Sequence, residues 1–355
     1  MAEQGINTLN DFYNYIDNFV KWVPFEGPGG REIYKKLCAF YFVFGQPTVY
    51  TLQTPIKPET AAGPLSWLSD WLVRYARDMG SFLDTPESFT EASRASFFGA
   101  DIYRMGDYEE PAGGWKTFNQ FFARHTKPGY RPIASPEKPD IIVSPADSTY
   151  EAEWLVGSDS IVNIKGLNWS IIELLNDTKY SHEFRDGIFM HSFLNTNDYH
   201  RLHAPIGGTV LEAKVIPGQV YLEVVVSQNG TLQPVRTIDQ DHKKQPRDLD
   251  APNTAGYQFC QARGLVVLDT AIGLVAVLPI GMAQVSSVVL TAEVNETLAK
   301  GEELAYFQFG GSDIVLVFES RSKVDITAVS KQHYFVGAEI GTASLLPTPT
   351  PEPGK

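Results

Sequence analysis

The run Tyr306-Phe-Gln-Phe-Gly-Gly-Ser-Asp-Ile-Val-Leu-Val-Phe318 decides more of the fold than any other stretch of these 355 residues. One apolar, aromatic run arrives at Gly310-Gly311-Ser312, and a second, residues 314–318, leaves it. Adjacent glycines permit backbone angles that other residues resist, so strands should flank a sharp turn. The turn carries a serine hydroxyl next to the Gly311 carbonyl. Taken alone, the stretch reads as the tip of a β-hairpin.

Similar short β-rich runs occur at 141–143, 210–215, 220–226, 265–268, 273–278 and 283–291, each bounded by Gly, Pro or polar turns. Such spacing predicts a mainly antiparallel, barrel-like or sandwich β domain, interrupted by one helix at 169–175. The N-terminal part has a different period. Residues 6–23 place Ile6, Leu9, Phe12, Tyr13, Ile16, Phe19 and Val20 at helical spacing, and Pro24 with Gly27-Pro-Gly-Gly30 stops them. Residues 31–44 and 66–77 predict two more helices, the latter with Trp67, Leu68, Trp71, Leu72 and Tyr75 in one stripe. A short helix is expected at 117–124. The fold class is therefore α+β: a helical N-terminal region over 1–100, a β-rich domain over 101–342 and a proline-rich tail over 343–355 that cannot pack. Residues 227–256 read as a long polar surface insertion.

Composition narrows the function. A net charge of −13 makes nucleic acid an unsuitable partner and gives no general attraction to anionic lipid surfaces. Two cysteines, Cys38 and Cys260, exclude a disulfide scaffold and fit a reducing, cytoplasmic setting. No apolar window is long enough to span a bilayer, so contact with a membrane would be peripheral. Oligomeric state is open, a homodimer included.

Two further stretches change the reading of the glycine turn: Ser144-Pro-Ala-Asp147 and Phe193-Leu-Asn-Thr-Asn-Asp-Tyr-His-Arg-Leu-His-Ala-Pro205. With Phe309-Gly-Gly-Ser312 they supply a hydroxyl, two imidazoles and a carboxylate. A serine becomes nucleophilic when a neutral imidazole can take its proton and a carboxylate orients that ring. Each residue alone has a plainer reading: Asp147 as a turn cap, the histidines as buried hydrogen-bonding groups, Arg124 and Arg131 as ion-pair partners rather than anion ligands.

Together, these stretches and Thr117-Phe-Asn-Gln-Phe-Phe-Ala-Arg124, Lys127-Pro-Gly-Tyr-Arg-Pro-Ile133 and Ile164-Lys-Gly166 resemble the phosphatidylserine decarboxylase family, in that family's order, over about residues 102–340. The family consists of self-processing enzymes that carry a pyruvoyl group. The resemblance implies cleavage between Gly311 and Ser312, with Ser312, His203 and Asp147 as the processing set. Ser312 would become the pyruvoyl cofactor, which forms a Schiff base with a substrate amine, and His200 would reprotonate the substrate carbon. No metal is implied. The substrate would be phosphatidylserine or, as in soluble fungal relatives that decarboxylate tryptophan, a free amino acid. The N-terminal helices more loosely resemble extensions of some fungal members.

Two features depart from the family pattern: Asp313 follows Ser312 where Ser or Thr is common, and Ser148 follows Asp147 where Gly is common. The Asp313 charge would oppose an oxyanion if it faced one. A competing non-enzyme reading is a biotinyl/lipoyl-like carrier module, suggested by residues 204–210, Pro217-Gly218, Val294 and residues 300–305. Neither Lys165 nor Lys300 has the hairpin setting of a carrier lysine.

Overall fold

The computed structural model describes residues 1–164, 166–234, 256–282, 287–309 and 311–347, without the side chains of Met282 and Ser312. Most of the insertion, the end of the tail, Lys165 and Gly310 therefore lie outside the described residues.

The N-terminal helices form where local chemistry caps them. In α1 (Leu9–Phe19), the Thr8 hydroxyl accepts from the Asp11 N–H at 3.2 Å, and the Asp11 carboxylate accepts from the Thr8 N–H at 2.8 Å. α2 (Glu32–Phe44) is the most apolar and buries Ile33, Leu37, Phe40, Tyr41 and Phe44. α3 (Trp67–Leu83) starts on the Ser66 hydroxyl and runs six residues past the stretch expected from the tryptophan stripe, because Met79 and Leu83 extend the buried face. α4 (Glu91–Phe98) was not expected from periodicity, and its Thr90 cap is the local signal for it. α5 (Phe118–Phe122) is a single capped turn with Phe118, Phe121 and Phe122 inside.

Eleven strands position the site: β1 (Ser148–Leu155), β2 (Ile188–Leu194), β3 (Arg201–His203), β4 (Gly208–Ile216), β5 (Arg263–Thr270), β6 (Gly273–Met282), β7 (Val288–Leu290), β8 (Thr297–Leu298), β9 (Glu303–Phe307), β10 (Gly311–Phe318) and β11 (His333–Tyr334). One sheet has eight strands in the order β8-β4-β5-β6-β10-β2-β1-β11, all antiparallel; a second has the order β7-β9-β3. Among the described residues the large sheet is open, ending at β8 and β11, rather than closed into a barrel. The α+β class and the antiparallel pairing agree with the sequence reading.

Two local expectations need correction. Residues 169–170 belong to a strand, Leu167–Ser170, paired with Ile161–Ile164, and only Ile171–Leu174 is helical. Of 220–226, only Val224–Val226 is a strand; upstream, Gln219 makes an isolated bridge to Gln261.

A larger correction concerns the glycine turn. The strands on either side of it do not pair with each other: β9 joins β7 and β3, whereas β10 joins β6 and β2. Between Phe307 and Gly311 the chain thus passes from one sheet to the other. Taken alone the stretch reads as a hairpin, because sequence shows which strands are neighbours in the chain, not which share a ladder. β10 is central and covered on both faces, which explains its unbroken apolar run: Ile314 to Phe318 are each at most 2% exposed. Residues from both regions, Ile6 to Ile340, contribute to one buried core. Leu316→Ala is expected to cost about 2–5 kcal/mol in urea unfolding, the range for a truncated, fully buried leucine; a loss below 1 kcal/mol would place β10 outside that core.

Candidate active site

The Tyr199-His-Arg-Leu-His203 stretch runs antiparallel along β9. His203 stands opposite Glu303, Leu202 opposite Ala305 and Arg201 opposite Tyr306, and the Phe307 N–H donates to the His200 carbonyl at 2.9 Å. The register slips by one residue between Glu303 and Ala305, a bulge that re-aims this end of the ladder. His200 consequently lies at the end of β9 that leads to Gly311, and His203 at the other end.

The two imidazoles occupy different surroundings. His200 is fully buried, stacked on Phe122 with centroids 3.9 Å apart and edge-on to Phe307. His203 is held by two hydrogen bonds, Nδ1 to the Gly301 carbonyl at 2.9 Å and Nε2 to the Tyr199 hydroxyl at 3.1 Å. A carbonyl only accepts, so Nδ1 carries the proton and Nε2 is the basic nitrogen, accepting from Tyr199. Burial lowers the His203 pKa below the ordinary imidazole value, against the opposing pull of the Gly301 carbonyl, Glu303 and Asp147. Gly301 has φ +81°, and a Cβ there would meet the Ile133 side chain at 2.4 Å, so only glycine can present that carbonyl without strain.

Asp147 is 1% exposed. Its two oxygens accept from Arg131 Nε at 2.9 Å each, Oδ2 from Arg131 Nη2 at 2.6 Å, and Oδ1 from the Val336 N–H at 2.8 Å. Burial nevertheless raises the Asp147 pKa, with Arg131 pulling it the other way. Among the described hydrogen bonds none joins Asp147 to His203. The connection runs through the backbone: the His203 N–H donates at 2.8 Å to the carbonyl of Pro145, in the turn that Asp147 and Arg131 fix. Arg124 is likewise structural, donating to the Asn197 and Asp198 carbonyls and lying 4.0 Å from the Tyr108 ring centroid.

Gly311 and Ser312 open β10, where Ser312 is opposite Leu194 on β2 and Gly281 on β6. Asp313 does not sit free beside the Gly311 carbonyl. Its carboxylate is fully buried and takes donors from His191 Nε2 at 3.0 Å, Gln258 Nε2 at 3.4 Å and the Tyr257 hydroxyl. Glu151 stands near the same group. The β1–β2 register slips between Tyr150 and Ala152, leaving Glu151 as the extra residue, and burial pushes its carboxyl up to about 7. His191 lies just upstream of the Phe193–Pro205 stretch, and no sequence pattern singles out Tyr257, Gln258 or Glu151. Nothing in the sequence joins Gln258 to Asp313, but a tyrosine four residues before His203 in Asp198-Tyr-His-Arg-Leu-His203 is a readable signal.

A cleft of about 860 Å³ opens beside His203, lined by Trp115, Lys116, His125, Lys127, Arg131 and Arg201 among others. Two of its guanidinium groups are engaged, Arg131 by Asp147 and Asp107 and Arg201 by Glu303, whereas Arg124 Nε and Nη1 have no hydrogen-bond partner among the described residues. The cleft gives His203 an approach from solvent. No helix among the described residues is long and apolar enough to cross a membrane.

The phosphatidylserine decarboxylase family model matches residues 118–342. The chain belongs to that family. It is 34% identical over 216 residues to phosphatidylserine decarboxylase proenzyme 3 of Schizosaccharomyces pombe, covering 61% of this chain but 20% of that relative. It is 32% identical over 260 residues to phosphatidylserine decarboxylase proenzyme of Fusobacterium nucleatum, covering 73% of this chain and 75% of the relative. Decarboxylase iboD of Amanita muscaria is 28% identical over 240 residues, covering 65% and 66%. The matched region thus contains β3, the Asp147 turn and the Gly311–Ser312 bond.

Arg131→Met should leave the buried Asp147 charge uncompensated and destabilise the chain by about 3–5 kcal/mol at neutral pH. Asp147 can shed that penalty only by taking a proton, so the loss should shrink as pH falls toward 4. Urea midpoints across pH check this; a loss independent of pH would mean that the ion pair does not carry the effect.

Proposed function

We propose that this chain is a pyruvoyl-dependent decarboxylase that cleaves itself between Gly311 and Ser312, then removes the α-carboxylate of a substrate bearing a primary amine. The observation that carries this reading is the position of that bond, at the crossing between two sheets, with the two histidines of the β3 stretch ranged along the strand that leads to it. Residues 101–342 form the catalytic part in this reading.

Self-cleavage balances as follows. The Ser312 hydroxyl adds to the Gly311 carbonyl, the peptide C–N bond breaks and an ester forms, freeing the Ser312 amine. Loss of the Ser312 α-proton expels the Gly311 carboxylate and leaves dehydroalanine. Water then replaces its nitrogen, ammonia departs, and a pyruvoyl group heads residues 312–355. A pyruvoyl group at position 312 would supply an electron-withdrawing carbonyl able to bind a substrate amine and stabilise the charge left by loss of carbon dioxide.

The chain's own residues supply the proton transfers. In this reading His203 is the base, with Nε2 as its basic nitrogen against the Tyr199 hydroxyl, and it stands at the end of β9 away from Gly311. The Gly301 carbonyl fixes the ring and stabilises the imidazolium that results. Asp147 acts through the turn that holds the His203 backbone and through its charge. His200, at the Gly311 end of β9, is the donor that returns a proton to the substrate carbon.

Phosphatidylserine is the first substrate in this reading, supported by the family match and the named relatives. A free amino acid, aromatic in kind, is the second, supported by the −13 charge, which gives no pull toward anionic lipid. Carbon dioxide release from phosphatidylserine vesicles and from tryptophan, with Ser312→Ala as control, separates them. Release by the wild type alone supports the decarboxylase. No release from either substrate by cleaved protein would overturn the assignment to these substrates.

The pH dependence of self-cleavage follows from His203. A base must be unprotonated, and the His203 pKa lies below 6.5. The cleavage rate should therefore rise with pH, bend below that value and stay level through neutrality. A profile still rising steeply above pH 7 would assign the base to another group.

A further inference from the structure

Phe309 and Asp313, the described residues flanking the crossing, are each held by side chains far away in the sequence. Upstream, the Phe309 N–H donates to Asn119 Oδ1 at 3.1 Å, and the Phe309 ring meets Phe118 and Phe122 edge-on at 5.2 and 5.6 Å between centroids. Asn119 is itself braced: its Nδ2 donates to Asp84 Oδ1 at 3.0 Å and to the Gly80 carbonyl at 3.3 Å, at the end of α3. The Gln308 amide also reaches that Asp84 oxygen, at 3.4 Å.

Downstream, Asp313 is held by Tyr257, His191 and Gln258. These donors stand on a rigid base. His191 belongs to β2, which pairs directly with β10. Tyr257 and Gln258 sit in a single turn whose Phe259 and Gln261 carbonyls are bound by the buried Arg263, at 3.3 and 2.9 Å. Phe259 stacks between Trp169 and Phe189, at 5.1 and 5.6 Å. All three donors converge on Oδ2, while Oδ1 is buried with no hydrogen-bond partner among the described residues, so losing a donor would leave the group poorly solvated.

Attack of a hydroxyl on the carbonyl immediately before it needs a closely defined backbone, and a misplacement near 1 Å costs about 10²-fold in rate. We propose that the Gly311–Ser312 bond is held ready for self-cleavage between these two anchors, with Asn119 and Asp313 as positioning residues and α3 taking part through Asp84. The inference rests on the self-cleavage reading and deepens it. It reassigns Asp313, which on charge alone would hinder the reaction, and gives the N-terminal helices a part in maturation. Neither residue touches the reacting atoms; each fixes the chain on one side of them.

The test follows cleavage by denaturing gel after rapid purification of the wild type, Asp313→Ala, Asn119→Ala and Tyr257→Phe, with thermal midpoints measured alongside. Asp313→Ala and Asn119→Ala should cleave about 10²-fold more slowly than the wild type, and Tyr257→Phe, which deletes one donor and keeps the ring, by a smaller factor. Hydroxylamine, which splits an accumulated ester, should not restore the rate, because the anchors serve the attack that forms it. Folded variants cleaving at the wild-type rate would overturn the proposal, as would slow variants that hydroxylamine splits at once. If Asp313→Ala fails to fold, Tyr257→Phe decides. A wild-type chain that never splits overturns self-cleavage and this inference with it, an outcome the wild-type lane distinguishes.

Discussion

The transfer of the chain from the β7-β9-β3 sheet to the centre of the eight-stranded sheet is the constraint on which the rest of the molecule depends. Strand β10 can occupy that centre only by being apolar on both faces, so residues 314–318 carry no polar side chain. The polar groups of this region therefore gather at its entrance. Asp313 is the first side chain described on β10 and is already fully buried, which obliges the fold to supply donors from β2 and from the turn around Tyr257. Upstream, Asn119 and two phenylalanines, Phe118 and Phe122, fix Phe309. The described residues on both sides of the junction, Phe309 and Asp313, are thereby held.

Burial also governs the titratable groups. His203 is kept neutral by desolvation, and its tautomer is settled by a carbonyl acceptor on Nδ1. Asp147 would be costly at 1% exposure without Arg131, which makes the pair a support for the turn beneath His203 rather than a source of net stability. Glu151, pushed up to about 7, is the one described carboxyl beside Asp313 that can change charge near neutrality.

Much of this was legible in the sequence, for identifiable reasons. Helical spacing of apolar residues, with proline and glycine at the breaks, located α1, α2 and α3, since both are local signals. The histidines of Asp198-Tyr-His-Arg-Leu-His203 could be assigned to separate surroundings because residues three apart on extended chain face differently. Arg131 could be read as an ion-pair partner, though its partner could not be named. What stayed hidden depended on pairing. The Gly310–Ser312 stretch reads as a hairpin until β9 and β10 are seen in different sheets. The charge of Asp313 reads as a liability until His191, more than 100 residues upstream, is found 3.0 Å away. The inward turn of Glu151 depends on a bulge that no residue pattern announces.

Intact mass under denaturing conditions, on freshly purified wild type and on Ser312→Ala, tests the central claim most directly. The account requires two fragments, residues 1–311 and 312–355, from the wild type, with the second lighter than its sequence by one ammonia. Ser312→Ala should remain a single chain of full mass. A folded wild-type chain that persists uncleaved, or a second fragment that begins with an unaltered serine, would contradict it.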